Sequence, residues 1–253
     1  MFTKAMVKLP CRNMVNGISH ANLGKPDFAL ALEQHARYRK ALESCGLEVI
    51  VLEADEAFAD STFIEDTCLV TPRCAIITNP GAGTRKGEIA SIGAALDSFG
   101  MAMEAIKAPG TLDAGDVMMK GNHYYVGLSQ RTNLQGFEQL SSILEKYQMT
   151  ASAVPLSTVL HLKTGISYLE NDCFLAFGEF LTKPAFEKFL LLPVDPQEAY
   201  AANCVWINDR VLVPGGFPKT QKMIEEKGYA TLQVDVSEFR KLDGGLSCLS
   251  LRF

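Results

Sequence analysis

No run of lysine or arginine marks this sequence, and acids outnumber bases by 29 to 24, for a formal net charge of −5. A nucleic-acid partner calls for a clustered basic surface, so that class is set aside, while small cationic substrates suit the acidic balance. No apolar stretch approaches the roughly 18 residues of a membrane span, and the opening MFTKAMVKLPCRN holds no apolar run of signal-peptide length. No CxxC pair occurs among the seven scattered cysteines, Cys11, Cys45, Cys68, Cys74, Cys173, Cys204 and Cys248. Neither a disulfide framework nor a zinc knuckle is expected, and a reducing cytoplasm is the expected setting.

What is present is ordinary for a globular protein: 47% apolar and 21% charged residues over 253 positions, enough to bury a core in one large domain or two small ones. Short turn signals recur between apolar runs. Thr67–Val70 and Cys74–Thr78 flank Pro72-Arg73; Val117–Lys120 and His123–Gly127 flank Gly121-Asn122. Ile166–Leu169 and Cys173–Phe177 flank a joint with Asn171-Asp172; Cys204–Ile207 and Val211–Val213 flank Asn208-Asp209. Asn, Asp and Gly supply the positive φ that tight hairpins need. Most of these hairpins are followed by a helical pattern and a short strand pattern: Glu88–Phe99 then Glu104–Lys107, Asn133–Tyr147 then Ala151–Leu156, Pro218–Lys227 then Tyr229–Val234. Near the start, Pro26–Cys45 reads as a helix entered at a proline and left at Gly46, with Phe28, Leu32, Ala36, Arg39 and Leu42 on one expected face.

The residues that enter each hairpin set a register. Asp66 to Asp116 is 50 residues, Asp116 to Ile166 is 50, Ile166 to Cys204 is 38 and Cys204 to Leu246 is 42. This is a hairpin–helix–strand repeat at propeller spacing. The fifth unit has only one strand pattern, Leu246–Arg252, and Met6–Leu9, the first helix and Leu47–Leu52 complete it, so one domain spanning residues 1–253 is closed by its two ends. Equivalent positions of a radial repeat face a common centre. Glu65-Asp66, Asp113 with Asp116, His161, the Tyr200–Asn203 stretch and Cys248 therefore converge. A lone cysteine is more often an inert core residue; one that converges with a histidine and acids is a candidate nucleophile. Gly244-Gly245 is expected to turn the chain sharply into the strand carrying Cys248 and, lacking a Cβ, to permit close backbone approach there.

FIEDT, LDAGDVMM, GLSQRTN, HLKTGISYL, YAANC and DGGLSCLSLRF, in this order, resemble the dimethylarginine dimethylaminohydrolases of the guanidino-modifying (pentein) superfamily, along nearly the whole chain from Leu23 onward. The resemblance implies a five-bladed αβ propeller, an α/β pentein fold with pseudo-fivefold repeats around a central active site. It implies hydrolysis of Nω-methylated arginine to citrulline and methylamine or dimethylamine, through a covalent cysteine thiouronium, with no cofactor and no metal. Cys248 is then the nucleophile, His161 the general acid and base, and Asp113 the catalytic acid's partner, orienting His161 or holding the guanidinium. Asp66 and Glu65 bind the guanidinium end; Arg85 and Arg131 hold the α-carboxylate; Asp60, with the backbone of Ile18, holds the α-ammonium. Asp116 is read as pinning backbone.

Lys163 sits two residues after His161, where the resembling arginine and agmatine deiminases carry an aspartate for unsubstituted guanidinium nitrogens. Without that acid, methyl groups meet no carboxylate that they would leave unpaired. The expected partner is thus a small methylated arginine, with no nucleic acid and no membrane, and a homodimer is left open. The alternatives are a related guanidine hydrolase or amidinotransferase acting on arginine or another guanidino acid, and a catalytically silent propeller that binds arginine-like ligands.

Overall fold

The computed structural model describes all 253 residues. β1 (Lys4–Lys8) leads through α1 (Phe28–Ser44) to β2 (Glu48–Leu52), which lies parallel to β1. Asp27 caps α1 by accepting from the Leu30 amide, and Gly46 takes a φ of +84° just beyond its end. The chain then repeats one unit: an antiparallel hairpin, a crossover, and a third strand parallel to the second. β3 (Cys68–Val70), β4 (Ala75–Ile77), α2 (Ile89–Asp97) and β5 (Met103–Ala105) form one unit. β6 (Val117–Lys120), β7 (His123–Leu128), α3 (Leu134–Lys146) and β8 (Thr150–Pro155) form the next.

A single turn, α4 (Leu162–Gly165), opens the unit of β9 (Ile166–Tyr168), β10 (Cys173–Ala176) and β11 (Leu190–Pro193). Its crossover has no α-helix, only 3-10 turns at Gly178–Thr182 and Pro184–Phe186. β12 (Val205–Ile207), β13 (Arg210–Pro214), α5 (Pro218–Glu226) and β14 (Ala230–Val234) follow. After α6 (Ser237–Arg240), β15 (Leu251–Arg252) pairs antiparallel with β1, Met6 opposite Leu251, so the last strand supplies the hairpin partner that the first unit lacks. The result is five three-stranded sheets in a ring closed by the two ends of the chain, the five-bladed αβ propeller expected from the repeat.

Both faces of the central strand of each blade are buried, because each blade packs against two neighbours. Successive side chains on a strand point to opposite faces. Ala5 and Val7 of β1 pack with Val205, Ile207 and Leu212 of one neighbouring blade, while Met6 packs with Ile64, Cys68 and Ala75 of the other. Val117 and Tyr124 face Cys74 and Ile76, while Met118 and Tyr125 face Ile166 and Phe174. Cys173 and Leu175 face Val211 and Val213. There are five apolar clusters for five seams. A strand buried on both sides reads as a continuous apolar run rather than an alternating one. No helix is long and apolar enough to cross a membrane.

Two expectations are corrected. The buried face of α1 is Ala31, Gln34, His35, Tyr38, Ala41 and Leu42, and Leu32 stands 38% exposed. Polar side chains define that face: Gln34 bonds Asp235, Ser237 and the Glu238 amide, and the Tyr38 hydroxyl bonds the Leu246 carbonyl and Ser250. Cys248 is not in a strand. Ser247–Leu249 forms one 3-10 turn, and the strand begins only at Leu251.

Candidate active site

One short helical turn leads into the first strand of every blade. Ile64–Thr67 precedes β3, Ala114–Asp116 precedes β6, α4 precedes β9, Pro196–Ala202 lies just before β12, and Ser247–Leu249 precedes β15. The first turn of a helix leaves amides without intrahelical partners, and here side chains of neighbouring turns accept from them. Asp66 accepts from the Gly115 amide at 3.0 Å, Asp116 from Leu162 at 2.9 Å, and Asn203 from Ser247 at 3.0 Å. Asn203 also donates to the Lys163 carbonyl at 2.8 Å, and the Ser247 hydroxyl donates to Glu65 at 2.7 Å. These bonds form a closed circuit through all five turns. It brings Glu65, Asp66, Asp113, His161, Lys163 and Cys248 to the centre.

All seven cysteines are free, and six are buried; Cys248 alone is partly open. With His161 and Asp243 it lines two small adjoining cavities. The first, about 40 Å³, is also lined by Ile18, Asp60, Asp66, Arg85 and Arg131. The second, about 160 Å³, adds Glu65, Lys163, Val159, Phe177 and Tyr200. Burial pushes the Cys248 thiol up to about 12, reinforced by Glu65 and Asp66 and opposed by the Gly245 amide, which donates to its sulfur.

His161 Nε2 lies 3.1 Å from Asp113 Oδ2, and Asp113 also accepts from the Gly81 amide at 2.8 Å. Burial works against the imidazolium, but Asp66, the bond to Asp113 and the nearby Asp116 outweigh it and hold His161 at about 9. Asp113 is wholly buried and lines neither cavity. Asp116 is also wholly buried and accepts from Ser129, Thr132 and the Leu162 amide, a backbone-pinning arrangement.

Arg85, expected with Arg131 to hold the α-carboxylate, spends most of its donors within the protein. Its Nε reaches Glu88 at 3.1 Å and Nη1 reaches Asp66 at 2.6 Å. Its Nη2 reaches Glu88 and the Phe63 carbonyl at 2.9 and 2.8 Å. Almost every donor is committed, and what remains for a ligand is charge and one N–H. Arg131 makes no side-chain bond within the protein, and its fork lines the first cavity and a wider mouth beyond it. Asp60 receives the Ile18 amide at 3.0 Å, and burial raises its carboxyl despite Arg85 and Ile18. Burial also pushes the Asp66 carboxyl up, but His161 and Arg85 reverse this and hold it below the usual range.

Glu65 is gripped by Lys163 at 2.6 Å and by Arg252 at 3.1 Å. Lys163 thus serves Glu65 as its counter-charge. Glu88, Asn203, Ser247 and Arg252 received no role from the sequence. The spacing Arg85–Glu88 was the signal for the first, since residues three apart meet on a helical turn. The sharp turn expected of the glycines falls one residue earlier: Asp243, not Gly244 or Gly245, takes the positive φ of 59°. A Cβ on Gly244 would lie 2.2 Å from the Phe63 ring, and one on Gly245 would lie 2.5 Å from Asn203. Close approach is what those two positions require.

Five blades around a central cysteine, histidine and acids define a pentein of the guanidino-modifying type. The family model described as eukaryotic N,N dimethylarginine dimethylhydrolase matches residues 24–182. An N(G),N(G)-dimethylarginine dimethylaminohydrolase of Pseudomonas aeruginosa is 49% identical, covering 100% of both chains, and one of Streptomyces coelicolor is 36% identical over 98% of this chain and 96% of its own. The chain belongs to the dimethylarginine dimethylaminohydrolase family. A solved structure of the Pseudomonas protein, a cysteine-to-serine variant complexed with citrulline, superposes with a TM-score of 0.98 at 49% identity and full coverage of both chains. The N-terminal domain of the cyanobacterial arginine dihydrolase ArgZ has a TM-score of 0.87 at 18% identity, covering 100% of this chain and 97% of its own, and shares the fold.

Proposed function

We propose that this protein hydrolyses Nω-methylated L-arginine to L-citrulline and methylamine or dimethylamine, the whole ring acting as one catalytic unit. The observation that carries the reading is the one partly open thiol, Cys248, sharing a cavity with a histidine held cationic and with a carboxylate held anionic. Support also comes from the family and from solved relatives, one complexed with citrulline and another an adduct with S-methyl-L-thiocitrulline.

The resting thiol is protonated. A guanidinium brought against Asp66 places a positive charge beside the sulfur, and the thiol proton leaves to solvent. Sγ then attacks the guanidinium carbon. The C–N bond to the methylated nitrogen breaks as His161 gives that nitrogen its proton, the amine departs and a thiouronium remains. Water adds to the same carbon and the C–S bond breaks, releasing citrulline and the thiolate. His161 takes one of the two protons released in this step and solvent takes the other. Asp113 keeps the imidazole in place through Nε2. Arg131 binds the α-carboxylate with the remaining reach of Arg85, and Asp60 takes the α-ammonium with the Ile18 backbone. Val159, Phe177 and Tyr200 give the second cavity an apolar side suited to methyl groups.

The test is a citrulline assay with dimethylarginine, monomethylarginine and arginine side by side. Methylated substrates are expected to turn over and arginine to fail. Turnover of arginine alone would move the protein to the guanidine hydrolases. Cys248→Ser should bind substrate and lose at least about a hundredfold in kcat, because an alkoxide is far harder to form than a thiolate.

A further inference from the structure

The centre of the ring has a second side. A cavity of about 500 Å³ opens there, sharing Glu65, Lys163 and Ser247 with the active-site cavity, while Cys248 and His161 do not line it. Its walls are apolar: Leu69, Val70, Met118, Met119 and Trp206. Its inner end is cationic, with Lys163 and Arg252 set against the single carboxylate of Glu65. The Lys163 ammonium has three donors, and one is used on Glu65. The other acidic side chain that lines the cavity, Glu170, stands beyond the far end of β9. At about 3.3 Å per residue, that strand separates it from the inner end by roughly 10 Å.

We propose that this rear cavity is a binding site for an amphipathic carboxylate, a ring-sized or short-chain apolar body with one anionic head, and that its occupation slows the chemistry at Cys248. The head would accept from Lys163 and Arg252, and the body would lie along the methionines and Trp206. Those two cations now neutralise Glu65. Glu65 in turn holds the Ser247 hydroxyl, one residue before the nucleophile, and neighbours Asp66 in the chain. An added anion sets more negative charge near the sulfur and loosens the grip on Glu65. Both effects disfavour the thiolate, in line with the opposite influences of Glu65 and Lys163 on that thiol. The binding half stands on the cavity alone; the inhibitory half rests on the proposed role of Cys248.

Trp206 is the only tryptophan, so its emission reports the wall directly. Anilinonaphthalene sulfonate, an apolar ring system with one anionic head, serves as the probe. The expected result is saturable energy transfer from Trp206 at one site, unchanged by saturating citrulline and reversed by octanoate but not by octylamine. Met119→Glu should weaken the probe at least about tenfold, a repelling charge in an apolar wall, and Met119→Leu should not. Octanoate should slow alkylation of Cys248 by iodoacetamide by about threefold or more, since the neutral reagent reads the thiolate fraction. Displacement of the probe by citrulline, or equal affinity in Met119→Glu, would overturn the site. Should that variant not fold, equal displacement by octylamine and octanoate on the unmodified protein overturns it. Binding without any change in alkylation overturns the coupling, and because the binding signal needs no turnover, that failure is distinct from failure of the hydrolase reading.

Discussion

At the scale of single residues, the site reads as charges set so that substrate, not protein, completes the nucleophile. With the Cys248 thiol at about 12 and His161 at about 9, the resting pair at neutral pH is thiol and imidazolium. Inactivation by iodoacetamide should therefore be slow at pH 7 and climb about tenfold per pH unit toward 9 without a plateau. A cationic haloacetamidine, which brings its own positive charge, should react much faster at pH 7. A plateau below pH 8 with the neutral reagent would show a thiolate already present. His161 adds a stability term of known sign: its folded value lies above its unfolded one, so the contribution is complete below about 6.5 and is lost as pH rises through about 9. Arg131 is the free fork. Arg131→Ala should cost roughly 10- to 150-fold in kcat/KM on dimethylarginine, one charge-assisted carboxylate contact of about 1.5–3 kcal/mol. A decarboxylated substrate should be turned over equally by both proteins; an equal loss on both would make Arg131 a support of its loop. That Cys248, His161, Asp66 and Asp113 meet at the centre was legible in the sequence because each falls in a motif. The commitment of Arg85 to Asp66 and Glu88 was not, since spacing names a partner without saying how many donors it takes.

At the scale of elements, every hairpin was legible from its turn residues and every α-helical crossover from its period. The buried face of α1 was not. Gln34 and Tyr38 are buried because partners more than 200 positions away accept and donate to them, and an apolar count cannot register that. The turn that holds Cys248 was misread as strand because a ring's closing segment is apolar in either conformation. Loop packing near the site yields a further test. Gly81 donates its amide to Asp113, and a Cβ there would lie 2.5 Å from the Cα and carbonyl oxygen of Arg131. Gly81→Ala must push apart the segments that carry Asp113 and Arg131, the proposed partner of the general acid and the proposed carboxylate fork. It should raise KM through Arg131 and lower kcat through Asp113, with a stability loss of about 1–3 kcal/mol. Unchanged KM and kcat, measured alongside a denaturation midpoint, would show that the two segments move independently of the chemistry.

At the scale of the whole molecule, the arrangement of the apolar clusters decides how the ring behaves. Each cluster lies in a seam between neighbouring blades, so a blade taken alone would expose both faces. The spacing of the register marks conveyed this closure because both ends of the chain are needed for one blade. Leu251 tests it. It is 3% exposed, pairs with Met6 across the closing strands and packs with Ile64, Cys68 and Ala75 of the next blade. Leu251→Ala should cost about 2–5 kcal/mol as a large-to-small core substitution. If closure makes the five blades one cooperative unit, that loss is felt everywhere. Trp206 sits in β12, in the blade on the other side of β1, and its emission should lose its native value at the same denaturant concentration as the far-UV ellipticity, both midpoints lowered together. A fluorescence midpoint that stays in place while the ellipticity transition moves or splits would mean that the blades unfold separately. The circuit of hydrogen bonds at the centre argues for the single transition: opening any seam breaks a bond between two of the five turns, and the residues around Cys248 lose their register with it.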